Sequence, residues 1–172
     1  PVMGGIVENT RMKWGKFKPW IVIGALTNAV VMVIYFSSPL EGWPFVIFFG
    51  CMYLLFDITF TMNDIGYWAM LPSLAKDQTQ RATLTSLANL FAFVGAIIAF
   101  ATIPILTNGP NAIGGNSITG YMWVSIIIAI LFVAFQLLTA IFVQEAPVSY
   151  RSDDEKIGLK AMFQVVFKND QL

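Results

Sequence analysis

Apolar residues fall along the chain in four long blocks separated by short polar connections. The blocks run from about Pro19 to Phe36, Pro44 to Leu74, Leu84 to Leu106 and Thr119 to Val143. A helix needs about 20 mostly apolar residues to cross a hydrocarbon core of about 30 Å, so each block predicts a spanning helix. The second is long enough to tilt or to project past the bilayer. Ahead of the first, PVMGGIVE is too short to span and reads as the last two turns of another helix. After the fourth, the charged run Glu145 to Leu172 contains the amphipathic stretch EKIGLKAMFQVVFKN, which lies along a membrane surface or leads into a further helix. A chain that opens on Pro1 and stops soon after such a stretch is expected to be a piece of a longer protein.

Charge gives the blocks a direction. All ten Lys and Arg residues lie in three segments: Arg11, Lys13, Lys16 and Lys18; Lys76 and Arg81; and Arg151, Lys156, Lys160 and Lys168. Two predicted spans separate each cluster from the next, so all three lie on one side. The intervening connections SPLEGW and TNGPNAIGGNSI carry no basic residue. By the positive-inside rule the basic side is cytoplasmic, in a multi-pass protein of the cell membrane. Gly, Pro and Asn dominate TNGPNAIGGNSI, which predicts a mobile external loop.

Composition agrees and narrows the chemistry. The 172 residues are 57% hydrophobic and 12% charged, against about 45–50% and 25% in ordinary globular domains. Formal net charge is zero, which removes any basic-tail argument for binding nucleic acid. With no His and a single Cys, Cys51, an intramolecular disulfide is excluded, and a zinc site or a His-based triad is implausible.

Two carboxylates remain at lipid depth, Asp57 and Asp64 in the second block. Each costs at least about 2.5–3.5 kcal/mol to insert, so it normally faces a cavity or a partner. At 100° per residue, Asp57, Thr61, Asp64 and Trp68 fall within about 60° of one another on one helical stripe. Carboxylates there accept hydrogen bonds from sugar hydroxyls or bind a cation or proton, and an indole stacks on the apolar face of a pyranose. The plainer alternative is a polar contact that only ties helices together. Near the membrane edge, Gly4 and Gly5 allow close helix approach, Glu8 follows one turn on, and Gly15 closes a tight basic connection. Lys16 and Lys18 pair there with carboxylates or lipid head groups, and Trp14 and Trp20 are interfacial anchors. A loop that only sets topology accounts for the Lys residues but not for the spacing of Gly and acid.

The segment GGIVENTRMKWGKFKPW resembles the loop between helices two and three of the glycoside–pentoside–hexuronide:cation symporters, melibiose-permease-like members of the major facilitator superfamily. FTMNDIGYWAMLPSL resembles that family's fourth helix, at the right separation, and the similarity covers nearly the whole chain. The resemblance implies that Asp64 matches the acid contacting galactoside hydroxyls, Trp68 the stacking indole, and Thr61 a residue of the cation site. Two acids of that site belong to helix two, the nearer immediately before Pro1. Departures accompany the match. Asp57 stands where the melibiose type has a small residue, Gly66 replaces a common Pro, and Asn89, on one face with Ser86 and Phe93, stands where an Arg assists sugar binding.

The fold expected is therefore all-α and integral to the membrane, a partial six-helix N-terminal bundle of a major facilitator. It comprises the end of helix two and helices three to six over 1–143, and the start of a central cytoplasmic connection over 144–172. The implied function is symport of a glycoside or oligosaccharide with Na⁺ or H⁺ by alternating access, without a cofactor. Substrate-contact candidates are Asp64, Trp68 and Asn89; cation-coupling candidates are Thr61 and Asp57. Gly4, Glu8, Gly15, Lys16 and Lys18 form a conformational loop, and the partners are sugar, cation, bilayer and the rest of the same transporter chain. A relative carrying a lipid or another non-sugar solute is the alternative within the class. A membrane enzyme would need an aspartyl pair, but Asp57 and Asp64 stand about 10 Å apart along the axis, too far to share a proton. A structural or channel-forming bundle is the third class.

Overall fold

The computed structural model describes residues 7, 12, 14–75 and 77–144. Among the described residues four long helices carry the architecture: α1 (Lys18–Phe36), α2 (Gly42–Met70), α3 (Gln78–Thr107) and α4 (Ser117–Phe142). All four are long and apolar enough to cross a membrane. Short 3₁₀ turns follow α2 (Leu71–Leu74) and α3 (Gly109–Asn111). The four predicted spans are all present, with ends displaced by a few residues. Apart from Val7, which is helical and buried, the preceding helix end lies outside the described residues, as do Gly4, Glu8, the basic residues Arg11, Lys13 and Lys76, and the connection from Glu145 onward.

Local chemistry sets the boundaries. Pro19 sits in the first turn of α1, where its missing N–H costs nothing. Asp77 caps α3 by accepting from the Gln80 N–H at 2.7 Å, and Asn116 caps α4 by accepting from Thr119 N–H at 2.8 Å. The second block exceeds α2 because its last four residues tighten into the 3₁₀ turn, with Pro72 in the first turn of that element. At about 1.5 Å per residue, the 29 residues of α2 rise about 44 Å, more than a bilayer core.

Packing is uneven. α1 is the hub, lying along α2 on one side and α4 on the other, while α3 touches mainly α4 and the turn after α2. The α1–α2 crossing is close because Gly24 lacks a side chain: a Cβ there would stand 2.6 Å from Asn63 N and 2.9 Å from Asn63 Cα. Gly66 makes the next contact, against Ile21 and the Phe17 carbonyl. Small residues serve this purpose in membranes, where van der Waals packing rather than hydrophobicity joins helices. Rings add contacts near the opposite end, Tyr35 on Phe49 at 5.2 Å and Phe36 stacked on Tyr121 at 6.2 Å.

The Gly-, Pro- and Asn-rich connection expected to be a mobile loop is built from hydrogen-bonded turns. Ile113 N–H donates to Leu106 O at 2.9 Å, Gly115 N–H to Ala112 O at 3.0 Å, and Ser117 Oγ to Asn108 Oδ1 at 3.2 Å. The glycines that suggested looseness permit this path: Gly109, Gly114 and Gly115 have φ of 73°, 80° and 81°.

Candidate functional site

Asn63 lies where three helices meet. Its Nδ2 donates to Ile21 O of α1 at 2.8 Å, and its Oδ1 accepts from Gln136 Nε2 of α4 at 3.1 Å. Two turns away, Asn28 Nδ2 of α1 donates to Phe56 O and Thr59 Oγ1 of α2, both at 3.0 Å. These bonds fix the rotation of α2 about its own axis. Thr59, Asn63, Gly66 and Met70 face α1, and Asp57, Thr61, Asp64 and Trp68 stand roughly 160° around the helix from them. The chemical stripe is therefore turned away from α1, and no other described helix packs along α2.

Within the stripe, Trp68 Nε1 donates to Asp64 Oδ1 at 3.0 Å, one helical turn apart. Asp64 is half-buried and Trp68 is 39% exposed. The Trp68 ring also meets Tyr67 edge-on, with centroids 5.6 Å apart. An indole N–H held by the carboxylate fixes both rotamers, while Asp64 Oδ2 accepts no hydrogen bond from a described residue. The pair thus offers an acceptor beside an aromatic face, an arrangement suited to a polyhydroxylated ring.

The other expected residues are placed less tightly. Thr61 is half-buried and Asp57 exposed on the same stripe, and neither hydrogen-bonds a described side chain. No group of three or more His, Cys, Asp or Glu side chains among the described residues could hold a metal ion. Asn89 is exposed on α3, which makes no comparable contact with α2, so Asn89 is not brought onto the Asp64 wall by these helices. At the basic end, Gly15 N–H donates to Met12 O at 3.1 Å in a tight turn whose glycine has φ 115°. Lys16 and Lys18 are half-buried, with Lys16 Nζ 5.1 Å from the centre of the Phe17 ring.

Sequence reasoning missed Asn63, Gln136 and Asn28. Each is a lone amide in an apolar run, and only Asn63, next to Asp64 and off its stripe, carried a positional hint.

Comparison with known proteins places these features in a lineage. The family described as MFS/sugar transport protein matches residues 1–172. The lactose permease of Lactobacillus helveticus is 30% identical, over 100% of this chain and 28% of its own length. That of Leuconostoc lactis is 31% identical over 100% and 28%, and the raffinose carrier protein of Pediococcus pentosaceus 23% over the same shares. The chain thus spans less than a third of the length of these relatives. It is a multi-pass membrane protein that belongs to the MFS/sugar transport proteins, the glycoside–pentoside–hexuronide:cation symporter family.

Proposed function

We propose that this chain is part of the N-terminal helical half of a symporter, not an enzyme, that moves a glycoside or oligosaccharide together with Na⁺ or H⁺. The observation that carries the reading is the Asp64–Trp68 pair at 3.0 Å, on the face of α2 that α1 leaves open. A carboxylate held in an apolar span by an indole N–H keeps an acceptor for a sugar hydroxyl, and the indole face takes the ring. Asp57 and Thr61, on the same stripe, help bind the coupling ion. A rocking motion of two halves around this midplane wall gives alternating access. The turn closed by Gly15, with Gly4, Glu8, Lys16 and Lys18, latches the cytoplasmic end. In this reading residues 1–143 form the bundle and 144–172 begin the central cytoplasmic connection, in the cell membrane with the basic segments inside.

The test is solute uptake by the full-length protein in proteoliposomes under an imposed inward Na⁺ or H⁺ gradient. Gradient-driven accumulation of a galactoside or raffinose-type sugar, lost in Asp64→Asn, is the expected result. Accumulation of a lipid or other non-sugar solute without any sugar, or sugar uptake indifferent to Asp64, would overturn it.

A further inference from the structure

On the far side of the molecule from Asp64, α1 and α4 leave a groove of about 630 Å³. Every residue lining it is aliphatic, and three alanines, Ala29, Ala129 and Ala134, make it concave. A second groove of about 560 Å³ continues it toward the basic end, sharing Leu137 and closing on Lys18 and Trp14. On α1, the groove residues Leu26, Val30 and Val33 lie roughly 175° around the helix from Ile21, Gly24 and Asn28, which meet α2. On α4, Ala129 and Val133 lie within about 60° of Gln136 around the helix and Leu137, Ile130 and Ala134 about 100–160° from it, so the groove starts at the seam with α1 and opens outward.

We propose that this continuous groove is a binding site for one anionic phospholipid, its phosphate at Lys18 and one acyl chain along the alanines. The dimensions fit. From Lys18 to Val30, α1 rises about 18 Å, against about 15 Å for one leaflet's half of the hydrocarbon core. A groove with only aliphatic walls rejects a sugar, since each hydroxyl would lose its water without gaining a partner. The basic mouth distinguishes it from plain lipid-facing surface. Lys18 stands in the first turn of α1, where the helix dipole adds attraction for a phosphate, and Trp14 has the amphipathic ring suited to glycerol-level contact. This site does not depend on which solute is carried, and binding alone tests it.

Native mass spectrometry on the full-length protein in detergent decides the matter, with phosphatidylglycerol and phosphatidylcholine of identical acyl chains. The wild type is expected to retain one phosphatidylglycerol about fivefold more tightly than phosphatidylcholine, the preference one basic residue near the surface supplies. Lys18→Gln should bring the two lipids level. Ala134→Phe, or Ala134→Leu if the larger ring prevents folding, should weaken both by filling the groove. Glycerol 1-phosphate alone should not compete. Four results overturn the site: equal retention of both lipids by the wild type, a preference that survives both variants, competition by glycerol 1-phosphate, or a cross-link from a photoreactive group at position 134 to another part of the chain instead of to lipid.

Discussion

Asp64 and Trp68 act on each other before they act on any ligand. Because Asp64 Oδ1 already accepts the indole N–H, changing either residue alters the other. Asp64→Asn keeps an acceptor oxygen for Trp68 and removes the charge. Each charge-assisted hydrogen bond to a sugar hydroxyl contributes about 1.5–3 kcal/mol, so affinity should fall tenfold or more per bond lost. Sugar affinity of the purified full-length protein, at saturating Na⁺ and again at low pH, checks this; wild-type affinity in both conditions removes Asp64 from the site. Trp68→Phe and Trp68→Ala separate the two duties of the indole. If stacking dominates, as in base-on-aromatic contacts, the Ala variant loses about 1–3 kcal/mol. The Phe variant should retain most of the affinity. Equal losses would assign the effect to the Nε1 hydrogen bond instead.

Helix α2 owes its orientation to contacts on its other face. Gly24→Ala puts a methyl group 2.6 Å from Asn63 N, against backbone that cannot swing aside. Overpacking costs about 1–3 kcal/mol, so a clear drop in melting temperature is expected. Gly66→Ala should be milder, because its nearest neighbour at 3.1 Å is the Ile21 side chain, which can shift. A Gly24→Ala protein as stable as Gly66→Ala would show that the crossing is looser than drawn. The amide junction makes a second, asymmetric prediction. Gln136 Oε1 is buried with no hydrogen-bond partner among the described residues, so Gln136→Leu removes one bond together with one unsatisfied acceptor. Asn63→Leu severs both its bonds and strands the whole Gln136 amide. Asn63→Leu should therefore be the more destabilising in thermal unfolding. Interhelical hydrogen bonds in membranes average about 0.6 kcal/mol, so the pair's coupling in a double-mutant cycle should be of that order.

Across the whole molecule, three of the four helices expose most of their apolar side chains, and α3 buries only Thr107. Such surface belongs in hydrocarbon or against more protein. The charge distribution predicts a direction of crossing. The α3–α4 connection carries no basic residue, so a Cys at Asn111 should react with an impermeant thiol reagent from outside, and one at Ser152 should not. Asn111 is the better probe than Gly115, whose φ of 81° would strain any side chain. Cys51, exposed along α2, must first be replaced by Ser. The reverse labelling pattern would invert the topology and with it the cytoplasmic placement of the turn at Gly15.

Four helices were legible in the chain because lipid leaves the backbone only helices and closed barrels, and apolar runs of about 20 residues fit the helix and not the shorter barrel strand. An apolar run of sufficient length is then nearly a complete instruction. The Asp57–Thr61–Asp64–Trp68 stripe was legible for a related reason: polar groups at lipid depth are rare, and helical spacing alone places them on one face. What that stripe faces was not legible. Helices apolar all round have no periodicity that marks an inner side, so nothing local says that α1 is the hub or that α3 stands apart from α2. Those relations rest on Gly24 meeting the Asn63 backbone and on Asn63 reaching both Ile21 and Gln136, contacts between residues 42 and 73 positions apart. The folded turn between α3 and α4 is a similar case, since Gly and Asn permit both disorder and left-handed backbone. Only the approach of α3 to α4, with Gly120 against Thr107, selects the ordered path.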